Sequence, residues 1–82
     1  MTGLDRDTLL RFLEERLGLD PAEIDDETPL FSSGLVDSVA LAELVVYVEN
    51  ESGVSFEPED ITLEHLDTVG RILRFVATRH GR

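Results

Sequence analysis

Three runs of apolar residues at helical spacing, cut apart by proline and glycine, leave this chain few folds other than a small helical bundle. In the first run Leu9, Phe12, Leu13 and Leu17 fall at i, i+3, i+4 and i+8, one face of a helix. Asp5 can cap its start and Gly18 can stop it, which sets helix I at about 5–17. In the second, Leu41, Leu44, Val45 and Val48 give a buried stripe, and Gly53 ends a helix II of about 38–52. In the third, Val69, Ile72, Leu73 and Val76 repeat the spacing for a helix IV of about 68–79. Beyond the break at Pro58, Ile61, Leu63 and Leu66 supply a short helical turn, helix III, at about 62–66. Strand signals are nearly absent; "GVSFE" alternates briefly and has no partner run. The expected fold is all-α, a small four-helix bundle of three main helices and one short one. At 82 residues the chain is expected to form one domain, 1–82.

The connection between helices I and II, residues 18–36, is long for so small a bundle. Pro21, Pro29 and Gly34 argue against one continuous helix there. Ile24, Leu30, Phe31 and Leu35 give it apolar anchors, so it is expected to lie packed on the domain. Long connections in compact domains are usually functional or disordered, and spaced anchors favour function.

Composition removes several classes of chemistry. There is no cysteine, which excludes disulfides, thiolate metal sites and cysteine catalysis, and no lysine, which excludes side-chain Schiff bases. The apolar runs are too short to span a membrane and the N-terminus lacks a signal-peptide pattern, so a cytoplasmic protein without membrane insertion is expected. The formal charge is −11; all seven basic residues are arginines near the two ends, and fourteen acids lie between Asp20 and Asp67. Such a surface repels nucleic acid and attracts proteins with basic patches. "DPAEIDDE" lacks the alternating acids, central glycine and terminal glutamate of a calcium loop, so no metal site is expected.

Ser38, at the point where the loop gives way to helix II, has three readings. Asp-Ser at a helix start serves as a cap, because the Asp37 carboxylate can accept from backbone N–H groups that have no helical partner. A catalytic serine needs a base and an orienting acid; the two histidines, His65 and His80, lie on a short polar turn and in the tail, and no G-x-S-x-G elbow is present. An attachment point is the third reading: a phosphodiester on Ser38 would set its anion at a helix N-terminus, where N–H groups and the dipole stabilise it. Val39, Ala42 and Val46 lie off the buried stripe of helix II, with Glu43 and Glu49 beside them. Scattered surface valines are ordinary, but an apolar line beside acids also suits docking.

The stretch "LFSSGLVDSVALAELVVYVENESGV" resembles the acyl carrier protein motif, an Asp-Ser at the head of helix II preceded by a phenylalanine and a glycine, and "DTV" before the last helix matches as well. The resemblance runs from helix I to helix IV. It implies that Ser38 receives 4'-phosphopantetheine from coenzyme A through a Mg²⁺-dependent holo-synthase. Cargo is then carried as a thioester on the arm, and the chain itself is not an enzyme. Asp37 matches the acid that caps the helix and assists metal-dependent loading. Val39, Ala42, Glu43, Val46 and Glu49 match partner-contacting positions. Phe31, Val45, Val48, Ile61 and Leu66 match positions around the arm or cargo, for which plain core packing is the simpler reading. The implied partners are the holo-synthase, a loading ligase, adenylating enzyme or acyltransferase, and downstream synthases or transferases with basic patches; a monomer is expected.

The chain departs from fatty-acid carriers in places. Val39 follows the serine where leucine or methionine is usual, Ala40 and Asn50 stand where acids are common, and the segment from Phe56 to Thr68 is longer. The "GLVDS" form is similar to stand-alone carriers of amino acids or unusual short acyl units. A specialised polyketide, nonribosomal or aminoacyl pathway is therefore expected, with housekeeping fatty-acid synthesis as the alternative. A reading of another class is an acidic docking module with no prosthetic group.

Overall fold

A computed structural model describes residues 4–80, the side chain of His80 excepted. Among these residues four α-helices follow one another: α1 (Arg6–Leu17), α2 (Ser38–Ser52), α3 (Leu63–Leu66) and α4 (Val69–His80). Two 3-10 turns, Pro21–Glu23 and Pro58–Asp60, punctuate the connections, and no strand forms among the described residues. Both turns begin on proline, whose fixed φ suits a first helical position and whose missing N–H costs nothing there.

The caps explain where the helices begin and end. Asp5 accepts from Thr8 N at 2.8 Å at the head of α1. Gly18, at φ +74°, turns the chain out of α1, with its N–H on Glu14 O and Leu19 N on Leu13 O. At the head of α4, Thr68 Oγ1 accepts from Arg71 N at 3.0 Å and Thr68 O accepts from Ile72 N. Thr68 thus serves the helix start and leaves the carboxylate of Asp67 for another task.

One core unites all four helices and the long loop. Leu9 and Leu13 of α1, Leu44 and Val48 of α2, Leu66 of α3, Val69 and Ile72 of α4, and Leu30 of the loop are fully buried. Burial of a side chain of this size stabilises by about 1.5–3 kcal/mol, so helices too short to persist alone are held by packing. Tyr47 of α2 stacks on Phe12 of α1 at 4.2 Å and donates its hydroxyl to Thr8 O at 3.1 Å. Phe75 of α4 meets Phe56 and His65, with the Arg79 guanidinium over its ring.

The buried faces differ in detail from the spacing argument. In α2 the core takes Ala40 rather than Leu41, which is half-buried. In α4 Phe75 enters the core while Leu73 stays partly exposed. The loop is anchored by Ile24, Leu30 and Val36; Leu35 is half exposed and is not an anchor. A turn closed by Gly34 N on Phe31 O, with Gly34 at φ +87°, folds the chain back so that Val36 N reaches Leu30 O. That reversal brings Val36, one residue later than expected, to the core. Ile61 is 39 % exposed and lies outside the core cluster.

Candidate functional site

The last residues of the loop and the first of α2 build the site. Asp37 has extended backbone geometry and is the N-cap, its Oδ1 accepting from Ala40 N at 2.9 Å while its carbonyl accepts from Leu41 N. Ser38 is the first residue of α2 and is exposed. Among the described residues its hydroxyl makes no hydrogen bond with any side chain or backbone group. The backbone N–H groups of a first helical turn have no carbonyl four residues earlier within the helix, so they and the helix dipole favour an anion at this spot.

The neighbouring serines are differently placed. Ser32 Oγ donates to Asp67 Oδ2 at 2.7 Å, and Ser33 Oγ donates to the Pro29 carbonyl. Ser52 is buried, its hydroxyl donating to Val48 O and accepting from Val54 N. The hydroxyls of Ser32 and Ser33 are spent on holding the loop, whereas that of Ser38 is left to solvent.

The loop is pinned from the α3–α4 junction by Asp67, which the sequence marked only as the first residue of the "DTV" before the last helix. Asp67 is 7 % exposed. Its Oδ1 accepts from Phe31 N at 2.8 Å and Ser32 N at 2.9 Å, its Oδ2 from Ser32 Oγ, and its carbonyl from Leu30 N at 2.7 Å. Burial pushes the Asp67 carboxyl up, but the Ser32 hydroxyl, the Ser32 and Phe31 amides and Arg71 together hold it below the ordinary carboxylate value. A second tie runs from Gly70 N to Asp26 O at 3.0 Å; a Cβ at Gly70 would lie 3.0 Å from that same oxygen.

Other acids of the loop are also occupied. Asp20 accepts from Ala22 N, Asp25 from Glu27 N and the Thr28 hydroxyl, and Asp26 pairs with Arg6 at 2.6 Å. Asp60 is buried, where the Glu57 amide and then Arg79 hold its carboxyl below the ordinary range. Among the described residues no group of three or more metal-ligating side chains comes together.

The outward face of α2 carries Val39, 67 % exposed, and Val46, 56 % exposed, with Ala42 and Glu43 also exposed. Ala42, Glu43 and Val46 border a groove of about 410 Å³ whose other wall is Phe12 and Arg16 of α1. Glu49 differs: it is half-buried and its Oε2 accepts from Phe56 N at 2.7 Å, an internal tie across the Gly53 bend. Of the positions expected near an arm or cargo, Val45, Val48 and Leu66 sit in the common core with Phe31 packed against it, and Ile61 does not join them. His65 is half-buried on α3, its Nδ1 3.2 Å from Thr62 Oγ1 and from Asp60 O and its ring against Phe75. The side chain of His80 lies outside the described residues.

A family model described as "Phosphopantetheine attachment site" matches residues 7–76. The chain is 33 % identical over 69 residues to an acyl carrier protein of Thermotoga maritima, covering 84 % of this chain and 83 % of that one. It is 31 % identical over 71 residues to a D-alanyl carrier protein of Enterococcus faecalis, covering 87 % and 91 %. To an acyl carrier protein of Chlamydia caviae it is 29 % identical over 75 residues, covering 92 % and 95 %.

Proposed function

The chain belongs to the acyl carrier protein family, whose members bear 4'-phosphopantetheine and carry rather than catalyse, and we propose that it is a discrete carrier with the arm on Ser38. The single observation that supports Ser38 is its exposed, unengaged hydroxyl at the head of α2, preceded by two serines whose hydroxyls are spent on hydrogen bonds that hold the loop. In loading, the Ser38 oxygen bonds the phosphorus that carries the pantetheine. The pyrophosphate bridge of coenzyme A breaks, adenosine bisphosphate leaves with the electron pair, and the hydroxyl proton passes to a base of the holo-synthase. Asp37 fixes the helix start beneath that oxygen and stands next to it in sequence, where it can help hold the synthase's divalent cation. Once attached, the arm supplies a terminal thiol that holds cargo as a thioester.

Val39, Ala42, Glu43 and Val46 form the surface offered to partner enzymes, with their exposed apolar line and adjacent carboxylate suited to a basic, partly apolar patch. Glu49 contributes less, because its carboxylate already serves Phe56. We place the carrier in a specialised pathway handling an amino acid or an unusual short acyl unit. Ala40 and Asn50 support this by leaving α2 with fewer acids than fatty-acid carriers, Val39 by standing where leucine or methionine is usual there, and D-alanyl carrier proteins are among the similar chains. We further place it in the cytoplasm; no helix among the described residues is long and apolar enough to cross a membrane.

Incubation of apo protein with coenzyme A, Mg²⁺ and a broad-specificity holo-synthase tests the assignment. One phosphopantetheine mass is expected to be gained. No gain with an active synthase would leave the docking-module reading, in which partner capture is the same for wild type and Ser38→Ala.

A further inference from the structure

We propose that Asp67 is the positioning residue for loading: its buried carboxylate sets the loop that presents Ser38 to the transferring enzyme. This rests on the attachment reading of Ser38. The carboxylate bridges a sequence separation of 36 residues to take the Phe31 amide, and it takes both the amide and the hydroxyl of Ser32. The Asp67 carbonyl takes Leu30 N, and Leu30 O in turn takes Val36 N, immediately before Asp37 and Ser38. The carboxylate thus reaches, through Phe31 whose carbonyl takes Gly34 N, the turn ahead of the attachment residue, while the run from the Asp67 carbonyl through Leu30 ends at Val36, two residues before Ser38. Leu30 is fully buried and Val36 nearly so, which gives that run a fixed floor.

A buried carboxylate costs desolvation, and a domain this small has little stability to spare. Asp67 is not needed to cap α4, because Thr68 Oγ1 does so. Nor, among the described residues, is it paired in a salt bridge; its carboxylate accepts from two backbone amides and one hydroxyl of a single loop segment, with Arg71 acting on it only as a nearby charge. Its effect is therefore local to the approach to Ser38, and the outward line of Val39, Ala42 and Val46 on α2 does not depend on it. Loss of the tie leaves docking intact and spreads the orientations of the nucleophile, so it lowers turnover more than apparent affinity.

Initial rates of transfer from coenzyme A by a broad-specificity holo-synthase, over a range of apo-protein concentrations, test this with wild type, Asp67→Ala, Asp67→Asn and Ser32→Ala. Asp67→Ala is expected to lower kcat about tenfold while KM moves by less than about threefold. Asp67→Asn keeps an oxygen for the two amides and is expected to recover much of kcat; Ser32→Ala is expected to show a smaller loss of the same kind. Hydrogen exchange at the Phe31 and Ser32 amides should quicken in Asp67→Ala while the Leu44 amide in α2 stays protected. Wild-type kcat in Asp67→Ala, or a loss confined to KM, overturns the proposal. If Asp67→Ala does not fold, the double variant Asp67→Asn/Ser32→Ala is read by the same kcat-against-KM split. Failure of wild type to gain mass refutes the attachment reading itself, whereas loading of both wild type and Asp67→Ala at equal kcat refutes only the role of Asp67.

Discussion

The carboxylate of Asp37 accepts the Ala40 amide at 2.9 Å and so closes the first turn of α2 directly beside Ser38. Asp37→Ala removes that cap. Thermal or urea unfolding of the apo protein should show a loss of about 1 kcal/mol, and Asp37→Asn, which keeps the acceptor, a smaller loss. Equal stability of wild type and Asp37→Ala would mean that water or the protein refills the cap at no cost.

Asp67 makes stability depend on acid pH. Its hydrogen bonds and Arg71 outweigh burial and put its folded pKa below its ordinary value, about 3.9. A carboxyl with a lowered folded pKa contributes stability above its unfolded value and loses it as pH falls through its folded one. The stability difference between wild type and Asp67→Asn, measured by urea unfolding, should be largest near neutral pH. It should shrink below about pH 4; a difference that is flat across this range contradicts the assignment.

Leu44 of α2 has no solvent exposure and lies at the centre of the shared core. Leu44→Ala should cost about 2–5 kcal/mol, a large share of the stability of so small a domain. Val46→Ala, on the exposed side of the same helix, should change unfolding little and should instead raise the KM of partner enzymes. A partner KM unchanged by Val46→Ala removes that face from docking.

The helices were legible because their causes are local. Asp5, Gly18, Asp37 and Gly53 cap and stop the helices in which they are found, and the apolar spacing faces inward at Leu9, Phe12, Leu13, Leu44, Val45 and Val48. The place of Ser38 at the head of α2 was legible for the same reason, an Asp-Ser pair before a periodic run. The ties of Asp67 to Ser32 and of Glu49 to Phe56 were not. An aspartate before a helix reads as a cap, and a helical glutamate beside valines reads as surface; only the tertiary fold brings either to its acceptor role. Val36 displaced Leu35 from the core through a turn at Gly34 whose direction the hydrophobic pattern alone does not set.

Salt should stabilise the protein. Net charge is −11, and no Lys or Arg interrupts the acids from Asp20 to Asp67. Screening relieves their repulsion more than it weakens the exposed Arg6–Asp26 pair, which contributes about 0–1 kcal/mol at most. The melting temperature of the apo protein should rise as sodium chloride is added from low ionic strength. A melting temperature that falls or stays level would show that the arginine pairs outweigh the repulsion.

The five serines of the chain, Ser32, Ser33, Ser38, Ser52 and Ser55, make the attachment assignment open to direct measurement. Apo protein loaded from coenzyme A by a holo-synthase is weighed intact and then fragmented to locate the added group. One phosphopantetheine is expected, on Ser38, with no gain in Ser38→Ala. An unmodified wild type, or the group on another serine, contradicts the attachment assignment.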